Sequence, residues 1–140
     1  MDRDYKVLVV DDDLEMCGLI SDVLKGEGLS ATSIGDSLEA SKILKTEEFD
    51  VIVTDLKMKG LKGLDLLEEA KKVAPLTPVI IITAFGTVES AIKAMRMGAY
   101  DYITKPFQMD EFVLTVKKAL ENQTRFVRLC IGKCPFLITE

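Results

Sequence analysis

Val51-Ile52-Val53-Thr54-Asp55 is the segment around which the fold of this 140-residue chain can be predicted. Three β-branched apolar residues followed by a threonine are typical of a short buried strand, and Asp55 stands where that strand should end. The Gly- and Lys-rich residues 56–63 predict a loop before the next helix. A carboxylate at the carboxyl end of a buried parallel strand points into the crevice where open α/β sheets bind ligands. We therefore expect Asp55 to belong to a functional site.

Strand-like and helical segments alternate on both sides of this stretch. The predicted strands are Lys6–Val10, Leu29–Ile34, Val51–Thr54, Val79–Thr83 and Tyr100–Ile103. Apolar residues at helical spacing predict five helices, the second running from Ser37 to about Thr46. Five strand–helix units with right-handed crossovers predict an α/β fold, a parallel sheet with helices on both faces. Because the second strand is the most polar, it suits an edge, which gives the flavodoxin-like doubly wound order 2-1-3-4-5.

Two further expectations concern the C-terminal half of the chain. The fourth helix is expected to pack on the core through an apolar row, which comprises Val88, Ala91, Ile92 and Met95. After about Asn122 the helical pattern fades. We therefore expect one domain over residues 1–122 and a tail or linker over residues 123–140.

The composition excludes several classes of site. The chain contains no histidine, so Ser-His, Cys-His and His-based zinc sites are excluded, and the chain cannot be its own phosphohistidine donor. Its net charge of −5 argues against direct contact with nucleic acid, because neutralisation of phosphates dominates that affinity. The first six residues lack the apolar region of an export signal, and no apolar tract is long enough to span a membrane. The three cysteines are an odd number, which fits a reducing compartment. We therefore expect a cytoplasmic protein without a membrane partner.

Polar side chains stand at the ends of four predicted strands. Asp11-Asp12-Asp13 follow the first strand, Asp55 the third, Thr83 ends the fourth and Lys105 follows the fifth. If strands 1 and 3 are neighbours, the carboxylates converge, and their mutual repulsion favours a hard divalent cation such as Mg²⁺. This combination predicts a phosphoryl-transfer site in which Asp55 is the nucleophile, Lys105 and the metal offset charge, and Thr83 positions the transferred group.

Each of these residues has a plainer interpretation when it is taken alone. Asp13 is expected mainly to cap the first helix, while Asp11 and Asp12 fit solvated loop charges. A threonine at a strand end is common, and a lysine before a proline fits a surface turn, although a cis bond would aim it into the crevice. The occurrence of all of them at one rim favours the chemical interpretation.

Four motifs, in this order, resemble the receiver domain of two-component response regulators. They are Val-Val-Asp-Asp-Asp at 9–13, Val-Thr-Asp-Leu-Lys-Met at 53–58, Ile-Ile-Thr-Ala at 81–84 and Tyr-Ile-Thr-Lys-Pro-Phe at 102–107. The resemblance covers about residues 5–121, which assigns the predicted domain over residues 1–122 to this family. The run from Thr83 to Tyr102 especially resembles receivers of NtrC-type transcriptional activators.

The resemblance implies a phosphoacceptor and a metal site. Asp55 would accept the phosphoryl group, and Asp11, Asp12, Asp55 and the main-chain carbonyl of Lys57 would hold Mg²⁺. One departure from the family pattern is Lys59, which stands where a proline is usual after the methionine of this loop. The loop backbone is therefore less restricted in the unfolded chain.

The resemblance also implies a switch and its partners. Lys105 would contact the phosphoryl group, and Thr83 and Tyr102 would form the switch pair, although the pattern alone fits Tyr102 equally well as a half-buried aromatic on an edge strand. The donor would be a phosphohistidine on a sensor histidine kinase, and the changed surface would be the helix 4–strand 5–helix 5 face. An output domain following this segment and a homodimer are family expectations, and the only enzymatic activities implied are autophosphoryl transfer and slow self-dephosphorylation.

Three other functions compete with a phosphorylation switch. An aspartate-nucleophile phosphatase requires a second Asp two residues after the nucleophile, where Lys57 stands. A nucleotide- or flavin-binding module lacks support, because neither a Gly-x-Gly-x-x-Gly nor a Walker-type lysine motif is present. A stand-alone receiver that acts by protein–protein docking remains the main alternative, and the complete set of Asp, Thr and Lys residues disfavours a docking module that needs no phosphorylation.

Overall fold

The computed structural model of the chain describes residues 5–56, 63–84 and 86–132, with side chains described as far as residue 121. The elements are β1 (Lys6–Val10), α1 (Leu14–Gly26), β2 (Ser30–Ile34), α2 (Ser37–Leu44), β3 (Val51–Thr54), α3 (Gly63–Val73), β4 (Val79–Thr83), α4 (Val88–Arg96), β5 (Asp101–Thr104) and α5 (Met109–Gly132). The strands form one parallel sheet in the order β2-β1-β3-β4-β5, so the predicted topology is confirmed. The sheet brings the ends of β1 and β3 side by side.

Two hydrophobic clusters fill the two faces of the sheet. Because successive side chains of a strand point to opposite faces, β1 sends Val7 and Val9 to one cluster and Leu8 and Val10 to the other. The first cluster is covered by α1 and α5, and includes Cys17, Ile20, Leu24, Phe112 and Val116. The second is covered by α2, α3 and α4, and includes Ala40, Leu44, Leu66, Leu67 and Ala94. The central strands are therefore buried on both sides, as their continuous apolar sequences predict.

The prediction for the packing face of α4 is wrong. Its apolar row is exposed, with 79% of Val88, 49% of Ile92 and 47% of Met95 accessible to solvent. At 100° per residue, the buried Ala94 lies about 100° to 160° around the helix from these three residues, on a different side. A small residue on that side allows α4 to approach the sheet closely, and the larger apolar side chains are left on the surface.

The helical pattern of apolar residues fades after about Asn122, but the helix itself does not end there, because α5 continues to Gly132. Residues 123–131 contain neither glycine nor proline, and a helix can continue on local hydrogen bonds and propensity after its apolar stripe has faded. The predicted domain boundary at 122 therefore falls inside this helix. Among the helices that the structure describes, none combines the length and the apolar character that a membrane span requires.

Smaller differences concern the ends of three elements. β2 begins at Ser30 because the amide of Leu29 still donates to the carbonyl of Leu24, the last turn of α1. β5 begins at Asp101, one residue later than the apolar pattern predicts, and α2 ends at Leu44. Hydrogen bonding decides these ends, whereas the pattern reports only which side chains are apolar.

Candidate functional site

Three charged residues directly follow three strands and are held by the hydrogen-bond ladder of the sheet. The amide of Asp11 donates to the last carbonyl of β2 at 3.1 Å, and the amide of Asp55 donates to the last carbonyl of β1 at 3.0 Å. The amide of Lys105 donates to the carbonyl of Thr83 at the end of β4, at 2.9 Å. The sheet therefore fixes the backbone of all three residues at one edge.

The side chains of these residues meet. Lys105 Nζ lies 2.8 Å from Asp11 Oδ2 and 3.0 Å from Asp55 Oδ2, so one ammonium bridges two carboxylates. The exposed fractions of the side chains are 14% for Lys105, 6% for Asp11 and 5% for Asp55. The peptide bond between Lys105 and Pro106 is cis. The convergence that the sequence predicts for these three residues is thus present.

Main-chain donors fix the other oxygen of each carboxylate. The amide of Asp13 donates to Asp11 Oδ1 at 3.0 Å, and the amide of Leu56 donates to Asp55 Oδ1 at 2.6 Å. The thiol of Cys17 donates to the main-chain carbonyl of Asp11 at 3.1 Å. Because both ends of each carboxylate are engaged, the carboxylates are oriented before any ligand arrives.

The electrostatics of the site reflect two carboxylates that share one ammonium. Burial raises the pKa of the Asp11 carboxyl, and the hydrogen bonds from Lys105 and Asp13 offset only part of that increase. Burial by itself would lower the pKa of the Lys105 ammonium, but the hydrogen bonds and negative charges of Asp11 and Asp55 outweigh it, so the pKa is raised. The lysine therefore stays charged next to the Asp11 carboxyl, whose pKa is raised.

Asp12 and Asp13 lie outside this bridge. Asp12 is exposed, and Asp13 caps α1, as predicted, because its Oδ1 accepts from the amides of Glu15 and Met16 at 3.1 and 3.2 Å. Lys57, the predicted main-chain ligand, and Lys59 lie outside the described residues. In the described parts of the chain, no group of three or more acidic, cysteine or histidine side chains is arranged to hold a metal ion.

The donor set nevertheless fits a hard cation in part. Asp11 and Asp55 supply buried carboxylate oxygens on either side of one ammonium. Oxygen donors of this kind, completed by water, are those that Mg²⁺ prefers. Asp12 is adjacent in sequence and open to solvent.

The predicted switch residues lie on neighbouring strands. Thr83, the last residue of β4, is fully buried, and Tyr102 in β5 is half-buried. The Tyr102 hydroxyl does not point into the bridge between the charged residues but lies 2.8 Å from Ser90 Oγ in the first turn of α4. The plainer interpretation of Tyr102 as a half-buried aromatic on an edge strand is thus correct for its exposure.

Sequence reasoning missed two residues near the site. An added Cβ at Gly63 would overlap the main-chain carbonyl of Asp55 and lie 2.7 Å from Leu56 Cα, so only glycine fits where α3 begins against the end of β3. Ser90, the partner of Tyr102, was also missed. The signal that could have found it is a threonine N-cap candidate, Thr87, followed three residues later by a residue with a hydroxyl.

The model of the response regulator receiver domain family matches residues 7–117. The chain belongs to this family. It is similar to a putative NtrX-like response regulator of Rickettsia bellii, with 43% identity over 82% of this chain, and to the DNA-binding transcriptional regulator NtrC of Escherichia coli K12, with 38% identity over 92% of this chain. Among solved structures, it is similar to a beryllofluoride-activated NtrC4 receiver domain dimer, with 37% identity, a TM-score of 0.81 and coverage of 84% of this chain and 98% of that one.

The receiver domain is only part of its longer relatives. The matched segment spans 24% of the Rickettsia protein and 30% of the Escherichia coli protein. The comparisons therefore assign this chain as a receiver domain of the kind found in NtrC- and NtrX-like regulators of two-component systems.

Proposed function

We propose that this receiver domain accepts a phosphoryl group on Asp55 from a phosphohistidine of a sensor histidine kinase, and that the phosphorylated form changes its α4–β5–α5 face. The observation that carries the proposal is the bridge of Lys105 Nζ to Asp11 and Asp55 at 2.8 and 3.0 Å. In the transfer, the P–N bond of the phosphohistidine breaks and a P–O bond to an Asp55 carboxylate oxygen forms. Self-dephosphorylation is attack by water on phosphorus, which returns the carboxylate and releases inorganic phosphate.

The residues of the site take distinct parts in this transfer. Asp55 is the nucleophile, because it is the carboxylate at the end of the central strand and its Oδ1 is oriented by the amide of Leu56. Lys105 offsets the negative charge of the phosphoryl oxygens, and its raised pKa keeps it protonated. Thr83, at the end of the adjacent strand, positions the group through its hydroxyl. Alignment and charge are the main contributions that phosphoryl transfer requires of a protein.

Mg²⁺ is part of the proposal. Asp11, Asp12, Asp55 and the main-chain carbonyl of Lys57 would hold it, with water completing its coordination. When bound, it offsets the negative charge of the phosphoryl oxygens and of the crowded carboxylates. The support from this chain is that Asp11 and Asp55 bring buried carboxylate oxygens to the same ammonium, at 2.8 and 3.0 Å.

The signalling surface is proposed to be the face that carries the exposed row of Val88, Ile92 and Met95. A contiguous apolar row on the surface of a monomer is typical of an interaction site. We propose that a second copy of the receiver binds there, and a similar receiver has been solved as a beryllofluoride-activated dimer. Since this chain matches only the receiver part of longer regulators, we also propose that it controls an output domain that follows it.

The test is phosphorylation by a small donor. Incubation with acetyl phosphate and Mg²⁺ should add about 80 Da, one phosphoryl group, to the intact mass. Asp55→Asn should abolish the addition. Asp22→Asn, the same chemical change on the exposed side of α1, should leave it intact. If Asp55→Asn still gains the phosphoryl group, Asp55 is not the acceptor and the proposal fails.

A further inference from the structure

We infer that the Ser90 hydroxyl ties Tyr102 to the first turn of α4, so that the position of Tyr102 and the N-terminus of α4 change together. The inference rests on the proposed function only in assigning Tyr102 to the switch. The link itself is a property of the chain before phosphorylation. It makes Ser90 a positioning residue.

The hydroxyl of Ser90 belongs both to the capping box of α4 and to the contact with Tyr102. It closes a capping box with Thr87, in which Thr87 N donates to Ser90 Oγ at 2.9 Å and Ser90 N donates to Thr87 Oγ1 at 3.0 Å. It also lies 3.0 Å from the main-chain carbonyl of Thr87 and 2.8 Å from the Tyr102 hydroxyl. A serine hydroxyl has one proton and two lone pairs. Thr87 Oγ1 is a further neighbour at 3.2 Å. If Ser90 donates its proton to the carbonyl, its two lone pairs can accept from two of the three remaining groups, and the two closest are the amide of Thr87 and the hydroxyl of Tyr102.

With the protons placed in this way, Tyr102 and the first turn of α4 depend on the same oxygen, Ser90 Oγ. Tyr102 is then the donor to an oxygen that already holds the N-cap of α4. If Tyr102 moves, Ser90 Oγ loses one hydrogen-bond partner. If the N-cap of α4 opens, Tyr102 loses its contact with Ser90 Oγ. The two events are therefore coupled by the free energy of one hydrogen bond.

Gly86 provides the space that the contact requires. An added Cβ at Gly86 would overlap the Tyr102 hydroxyl and lie 3.0 Å from its Cε1. The φ angle of Gly86 is not in the left-handed region, so alanine is compatible with the backbone there. Gly86→Ala thus displaces the Tyr102 side chain without altering Tyr102 or Ser90.

The link joins the predicted switch to the surface proposed for signalling. The α4 helix presents Val88, Ile92 and Met95 to solvent, while it packs through the small Ala94. A change at the first turn of α4 would therefore reorient an exposed apolar row. Ser90 is the residue through which Tyr102 would act on that row.

The first test needs no phosphoryl group. Amide hydrogen exchange of Ser90 and Ala91 is measured by NMR in the parent, Tyr102→Phe and Tyr100→Phe. Both amides bond to the N-cap residue Thr87, so they report opening of the first turn. Tyr102→Phe should raise their exchange rates about five-fold, the effect of one neutral hydrogen bond of about 1 kcal/mol.

Tyr100→Phe is the matched control, because it removes the same atom from a side chain that packs with the cluster on the other face of the sheet. It should leave both rates unchanged. If Tyr102→Phe also leaves them within about two-fold of the parent, where a full hydrogen bond predicts about five-fold, the link does not exist.

Variants at the other two positions provide independent checks. Gly86→Ala should reproduce the faster exchange of Tyr102→Phe, because it separates the same two hydroxyls. Ser90→Ala should accelerate exchange further, since it removes the cap as well. Ser90→Thr keeps a hydroxyl and should remain close to the parent, and exchange as fast as in Ser90→Ala would contradict a role for that hydroxyl.

The second test asks whether the link reaches the phosphorylation site. Beryllofluoride with Mg²⁺ is titrated against the parent, Ser90→Ala, Tyr102→Phe and the double variant. Each single variant should change the affinity for beryllofluoride, and the double variant should change it no more than the larger single change, because the same bond is removed. Additive changes, or no change, would refute the coupling. If the parent itself fails to bind beryllofluoride, the proposed function fails, while the exchange test of the link remains valid.

Discussion

Removal of the ammonium at position 105 tests the electrostatic description of the site. Lys105→Met keeps a side chain of similar length and deletes the charge that lies 2.8 Å from Asp11 and 3.0 Å from Asp55. The two bridged oxygens are then at most about 5.8 Å apart, and at an effective dielectric constant of about 20 their repulsion is roughly 3 kcal/mol. Breaking a buried ion pair by removing one partner costs about 3–5 kcal/mol, and the partial exposure of Lys105 places this case at the lower end.

We therefore expect Lys105→Met to lower the free energy of unfolding by about 3 kcal/mol and Tm by roughly 10 °C when EDTA is present. Millimolar Mg²⁺ should restore part of the loss, because a divalent cation relieves the same repulsion. Urea unfolding followed by far-UV circular dichroism, with and without Mg²⁺, measures both effects. Lys118→Met, at an exposed position of α5, is the control and should change the free energy by less than about 0.5 kcal/mol.

Lys105→Met should combine non-additively with Asp55→Asn. Asp55→Asn alone should have little destabilising effect, because Lys105 retains Asp11 as a partner. In the Asp55→Asn background, Lys105→Met should lower the free energy of unfolding clearly less than it does in the parent, because the two carboxylates no longer repel each other. A loss below about 1 kcal/mol for Lys105→Met in EDTA, or an equal loss in both backgrounds, would refute the description of a charge-crowded site.

Three further predictions concern packing around the site. Gly63→Ala should lower the free energy of unfolding, measured by urea titration, by at least about 2 kcal/mol, because its Cβ would overlap the main chain at the end of β3. Gly18→Ala is the control: nothing lies within 4 Å of the added Cβ, so this change should be neutral or stabilising by up to about 1 kcal/mol. Phe112→Ala should cost about 3–5 kcal/mol by the same measurement, because the side chain is fully buried, and the half-exposed Leu114→Ala should cost less than about 1 kcal/mol. Burial raises the pKa of the Cys17 thiol to about 11, so peptide mapping after iodoacetamide treatment at about pH 8 should find it unmodified until the protein unfolds, and rapid labelling of the native protein would contradict its burial.

The position of α4 illustrates why a local pattern was insufficient. Two faces of this helix carry residues at helical spacing, one with large apolar side chains and one with the small Ala94. Hydrophobicity alone predicts that the large apolar side chains are buried. In the structure the side with Ala94 packs on the sheet instead, and Ser90 on that side bonds to Tyr102. The orientation of a short helix is decided by what it packs against, which its own sequence does not contain.

The length of α5 was missed for a different reason. The apolar stripe that identifies a helix reports burial against a core, and the stripe weakens beyond Leu120. The backbone hydrogen bonds of a helix need no core, so α5 continues to Gly132. The predicted boundary at 122 marks where the stripe fades, and the structure places it within a continuous helix.

The amino-acid sequence was sufficient to predict the order of the strands and the polar residues at their ends, because the central parallel strands have continuous apolar sequences and Asp11 and Asp55 directly follow two of them. The sharing of one ammonium between two carboxylates became visible in the folded chain alone, since Lys105 is 94 residues from Asp11 and 50 residues from Asp55 along the sequence. The same holds for the contact of Ser90 with Tyr102. Distances of about 3 Å between such separated side chains depend on the packing of the whole sheet, and no local periodicity encodes them.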